Sequence, residues 1–136
     1  MRRETDQQAL WNHPYCTLNF VNVLSNLGFS IVLTTMTTYT LSMGATLSLA
    51  GTIASLFSFA AMLVRPFGGY LFDRINKKTV YILSTMLMGL TVLGYSFAGS
   101  LPVLMVIRVV HGALFGVSTT ATMALVTRFI PRERTS

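Results

Sequence analysis

The sequence predicts an all-α membrane protein with four transmembrane helices. Three observations carry that reading. Of the 136 residues, 52% are hydrophobic and 10% are charged, whereas soluble domains run near 25% charged. No Asp, Glu, Lys or Arg occurs between Asp6 and Arg65, or between Lys78 and Arg108. A bilayer core is crossed by about 20 helical residues, so both runs are long enough to span it. Most of the remaining charge sits before the first span, between the second and third, and after the fourth.

Residues 1–14 are polar and form a predicted cytoplasmic segment. Trp11, His13 and Tyr15 have the chemistry of headgroup-level anchors, and Pro14 suits the first turn of a helix. Arg2 and Arg3 are followed by Glu4 and Asp6 with no short apolar core, so no cleavable signal peptide is expected. The first span is predicted over 15–39. Its residues Asn19, Asn22 and Asn26 fall within about 60° on a helix turning 100° per residue, and Ser30 and Thr37 continue the stripe. Such a stripe faces a partner helix or a wet cavity rather than lipid. Interhelical hydrogen bonding and cavity lining both account for it.

The second span is predicted over 46–70. Ala50, Ala54 and Ser58 recur at four-residue steps, as do Gly51 and Ser55. Rows of small residues let helix backbones approach closely, so these rows are expected to pack. Arg65 lies near the cytoplasmic end and is long enough to snorkel to the interface. The third span, 79–97, is rich in Leu and Met and carries no charge. It reads as a lipid-facing or packing helix. The fourth span is predicted over 103–129. Arg108, Gly112, Gly116, Thr120 and Ala124 recur at four-residue steps, placing a charge and small residues on one inward-packing face. Residues 130–136 begin a cytoplasmic loop. Basic residues flank only alternate loops, so both termini are predicted to be cytoplasmic, in a cell-membrane protein.

The net charge of +6 does not indicate nucleic-acid binding, because the few charges sit mostly at helix ends on one membrane side. A single Cys16 excludes an internal disulfide and a cysteine-cluster metal site. His13 and His111 have no nearby ligand partners in the sequence. No metal or cofactor is expected. No GxxxxGK[ST] phosphate loop and no nucleophile–base constellation is present, so enzymatic chemistry is not expected.

The most informative stretch is Gly69-Tyr70-Leu71-Phe72-Asp73-Arg74-Ile75-Asn76-Lys77-Lys78. Asp73 and Arg74 end one helix, Asn76 turns the chain, and Lys77 and Lys78 start the next helix at the anionic membrane face. The stretch resembles the signature loop of the major facilitator superfamily of secondary transporters. Gly69, Asp73, Arg74, Lys77 and Lys78 fall in register with it. Asn76 stands where the family usually has a second Gly, and Asn tolerates the left-handed backbone better than most residues. Arg108-Val109-Val110-His111-Gly112 resembles a second family motif, with His111 in place of a common Gln. Val126 and Thr127 stand where many relatives have an acid that pairs with the loop.

The resemblance implies the first part of a six-helix half, seen as an N-terminal fragment. It implies secondary active transport of small solutes by alternating access, with proton coupling and export. Loop 69–78 becomes the conformational switch. Arg108, His111 and Gly112 become coupling or substrate residues, and Asn19, Asn22 and Asn26 cavity-lining residues. The implied partners are a small-molecule substrate, protons, the lipid bilayer and the remaining helices, with no nucleic acid. Two other readings suit a four-span chain. One is a small multidrug transporter acting as a dimer, although such proteins need an acid in the first helix and none is present. The other is a non-transporting membrane assembly subunit.

Overall fold

The computed structural model describes residues 13–129, and side chains within 16–126 except at 69 and 71–74. The predicted anchors Trp11, His13 and Tyr15, the terminal segments, and the side chains of Asp73 and Arg74 lie outside what is described. Among the described residues four α-helices follow one another: α1 His13–Ser42, α2 Leu47–Arg74, α3 Lys77–Gly94 and α4 Leu101–Phe129. A 3₁₀ turn, Tyr95–Phe97, extends α3. All four are long and apolar enough to cross a membrane. The fold is therefore that of an all-α membrane protein.

The connections are short and each has a local cause. Gly44 ends the α1–α2 turn with φ +84°, a left-handed backbone that costs glycine little. Asn76 does something other than the expected left-handed turn. Its φ is −60° and its side-chain oxygen accepts a 3.1 Å hydrogen bond from the Lys78 N–H. It is an N-cap for α3, satisfying one of the orphan donors of the first turn. At the opposite end, the Tyr39 hydroxyl donates 3.1 Å to the Ala98 carbonyl and ties α1 to the α3–α4 connection.

Helix α4 is the hub of the bundle, packing most extensively on α2 and then on α3. Its inward face carries Leu104, Arg108, His111, Gly112, Gly116, Ala121 and Leu125. The row from Arg108 through Gly116 thus faces inward as its spacing predicts. The matching face of α2 differs from the expected rows. It is formed by Ala50, Ile53, Phe57, Ala60 and Ala61, while Gly51, Ser55 and Ser58 are exposed. A spacing alternating between three and four residues follows one side of a 3.6-residue helix, whereas strict four-residue steps drift around it.

Two apolar clusters bracket the middle of the bundle. Met36, Ile53, Ala98 and Leu104 fill one end. Val80 and Ala121 pack with Tyr81, Val117 and Ala124 at the other. Large apolar side chains cover the outside, as on Phe59, Met86, Phe97 and Met123. An apolar exterior is what lipid requires, because hydrocarbon gives no reason to bury it.

The α2–α4 contact is backbone to backbone. A Cβ placed on Gly116 would lie 2.6 Å from the Ala61 carbonyl oxygen. Gly89 on α3 has nothing within 4 Å of the same position. Gly116→Ala is expected to force the helices apart and to destabilise the protein by about 1–3 kcal/mol. Gly89→Ala should be neutral or stabilising by up to ~1 kcal/mol, since Ala is the better helix former. Thermal unfolding in detergent measures both; equal melting points would mean that the crossing does not depend on glycine.

Candidate functional site: a buried arginine in an aromatic cluster

Arg108 is seven positions beyond the start of α4 at Leu101, so it lies about 10 Å along the helix. Its side chain does not snorkel. The residue is 0% exposed, and none of its three guanidinium nitrogens has a hydrogen-bond partner. The guanidinium carbon instead lies 5.4 Å from the ring centroid of Phe57 on α2, within cation–π range.

Phe57 stands at the centre of an aromatic cluster drawn from all the packed elements. Phe29 of α1 stacks on it at 4.6 Å and 22°. Phe115 of α4 lies 5.2 Å from Phe57 and 5.1 Å from Phe29. His111 meets Phe57 edge-on, at 5.2 Å and 87°. The Tyr95 hydroxyl and His111 Nδ1 are 3.1 Å apart, and the imidazole tautomer decides which atom donates. His111, 2% exposed, is thus held by an aromatic edge and a phenol rather than by a carboxylate.

No carboxylate from the spans is available to Arg108. The chain has four acids, Glu4, Asp6, Asp73 and Glu133, and all of them lie outside the apolar stretches. A charged Arg at a helix centre costs about 2.5–3.5 kcal/mol on insertion scales. A cation–π contact recovers about 0.5–2 kcal/mol of that. The arrangement therefore favours any anion that reaches the guanidinium.

The asparagine stripe does not supply the missing acceptors. Asn26 Nδ2 donates within α1, to the Asn22 carbonyl at 2.8 Å and to Asn22 Oδ1 at 3.2 Å. Ser30 donates to the Asn26 carbonyl at 2.9 Å. Asn22 is half-buried and Asn26 exposed, as is Ser30. Arg108, His111 and Gly112 are brought together with Phe57, whereas Asn19, Asn22 and Asn26 hydrogen-bond none of the Arg108 nitrogens. Loop 69–78 lies at the far end of α2, beyond Ala61 and Pro66.

The rings around Arg108 were not singled out by sequence reasoning. A signal existed for Phe57, which falls in the three-and-four spacing with Ala50, Ile53 and Ala60–Ala61. Phe115 shares the Arg108 face of α4 at a seven-residue spacing, but nothing in local spacing marks Phe29 or Tyr95 as members of the cluster around Phe57, because separate helices must pack before they meet.

A cavity of about 280 Å³ opens behind His111 between α1 and α3, lined by Ser25, Gly28, Phe29, Thr85 and Met88 among others. Thr85 and Ser118 pair their hydroxyls at 3.1 Å across α3 and α4. Among the described residues, no group of three His, Cys, Asp or Glu could hold a metal.

The family profile described as Major Facilitator Superfamily matches residues 18–136. Quinolone resistance protein NorA of Staphylococcus aureus strain Mu50 is 27% identical over 123 residues, covering 90% of this chain. The same protein of strain N315 matches at the same identity and coverage. The chain spans about a third of the length of these relatives, 32% in each case. No solved structure matches the chain.

Proposed function

The chain belongs to the Major Facilitator Superfamily, and on that premise we propose that it forms the N-terminal part of a proton-coupled exporter of small solutes working by alternating access. It is a multi-pass membrane protein of a transporter family. Similarity to a quinolone resistance protein supports export, because resistance follows when a transporter carries a small molecule out of the cell. Membership in the family also disfavours a dimeric four-helix transporter, as does the lack of an acid in α1.

The observation that carries the reading is the fully buried Arg108 with no acceptor on any nitrogen. A charge so placed discriminates strongly between states in which an anion is present and states in which it is not. Its partner is a substrate carboxylate or a proton-carrying acid on the remaining helices, whose pKa the guanidinium lowers by its charge. Loss of the partner's charge on protonation weakens the pair, which links proton binding to rearrangement. The exposed edge of the α1 stripe, Asn26 and Ser30, supports a wet cavity beside it.

Arg108→Ala in the full-length transporter should abolish gradient-driven transport while the protein still reaches the membrane. Arg108→Lys should lose most of the activity, because Lys lacks the planar five-donor fork. Uptake into proteoliposomes under a defined proton gradient decides it. Full coupling in the Ala variant would remove Arg108 from the mechanism.

Orientation follows from the positive-inside rule, with both termini and loop 69–78 in the cytoplasm. Single cysteines at Gly44 and Ser100, in a background lacking Cys16, should react with an impermeant reagent from outside the cell. One at Asn76 should react only after the membrane is opened. Labelling of Asn76 in intact cells would reverse the topology.

Loop 69–78 acts in this reading as a latch between the two halves. In the proposed latch the Asp73 carboxylate meets a helix N-terminus of the opposite half, a contact of about 0.3–1 kcal/mol. Asp73→Asn should shift the population towards the inward-facing state and slow transport severalfold, with insertion intact. Conformation-dependent labelling together with a transport rate equal to wild type would reduce the loop to a topology signal.

A further inference from the structure

We propose that Phe57 is a positioning residue for Arg108, holding the guanidinium charged and oriented through the electrostatics of its ring face. The inference rests on the proposed role of Arg108 and goes beyond it. Three observations combine. The Arg108 guanidinium lies over the Phe57 ring at 5.4 Å. Phe29 stacks on the same ring at 4.6 Å. Phe57 thus has both an α1 ring and an α4 cation packed against it. The third observation is the backbone beneath it. A Cβ on Gly112 would lie 2.9 Å from the Phe57 Cα, so only glycine there brings α2 near enough to set the ring against a residue one turn away on α4.

The ring face is negative and no guanidinium nitrogen has an acceptor at hydrogen-bond distance, so the ring, with the nearby Tyr95 phenol as a second neighbour, orients the fork between encounters with its anion. Phe57 itself is 2% exposed and has no polar atom. It therefore cannot replace the anion, and it does not compete with one for the N–H donors. The stacked Phe29 extends the same contact to α1, so that a change at Arg108 reaches the helix carrying the polar stripe. His111 packs against Phe57 in a T-shaped arrangement and pairs with Tyr95.

The test separates ring electrostatics from ring size. Phe57 is replaced in the full-length transporter by phenylalanine bearing one, two or three ring fluorines, which drain the negative face with little change of shape. Gradient-driven transport per molecule in the membrane should fall stepwise with each fluorine, on the order of tenfold in total. Phe57→Tyr should transport within about twofold of wild type, because its face stays negative. The fluorine series should also lower the melting temperature when Arg108 is present and leave it flat in an Arg108→Met background. A flat transport series, or melting shifts identical in both backgrounds, would overturn the inference and leave Phe57 as packing. Failure of the underlying reading looks different: Arg108→Ala would then couple normally whatever the fluorine series did.

Discussion

The close approach of α2 and α4 is the constraint on which the rest of the structure depends. Gly112 and Gly116 present bare backbone to Phe57 and Ala61, so the two helices meet without intervening side chains. Membrane helices gain little from burying apolar surface against each other, since lipid is as apolar as the partner. Dense packing and close backbone contact must supply the association instead. The same contact that holds α2 to α4 puts the Phe57 ring over Arg108. Helix α3 then closes on α4 through Thr85 and Ser118 and through Tyr95 on His111.

Around this crossing the polar groups are sorted by how they are satisfied. Hydroxyls donate to carbonyls one turn back: Thr40 to Met36 at 2.7 Å and Thr122 to Ser118 at 2.9 Å. Such bonds let Ser and Thr sit in a span at low cost. His111 has a phenol. Arg108 alone combines full charge, full burial and no acceptor among the described residues. The middle of the bundle is therefore held by shape and aromatic contact, and its charge is left available to an anion.

Helix α1 stands apart from this tight core. It packs on α2 and α4 far less than they pack on each other, and its polar stripe is hydrogen-bonded largely within the helix. It reaches the others through Phe29 on Phe57 and Phe115 in the middle, and through Met36 in the apolar cluster and Tyr39 on Ala98 at one end.

The class, the four helices and the places where the chain turns are legible in the order of residues alone. Uncharged runs bounded by Arg65, Lys78 and Arg108 admit only membrane spans. Gly44 and Asn76 mark the turns, and the four-residue row from Arg108 to Gly116 marks the packing face of α4. These are one-dimensional signals, set by local backbone chemistry and by the cost of charge in hydrocarbon. At Asn76 a helix cap and a left-handed turn draw on the same residue type, and only φ tells them apart. Tertiary structure alone decided what Arg108 meets. The polar stripe of α1 is visible in the sequence, yet it bonds along its own helix, and the arginine turns to a phenylalanine 51 positions away in sequence. Which faces of four apolar helices meet depends on where backbones can approach most closely, and that is a property of the packed bundle rather than of any one helix.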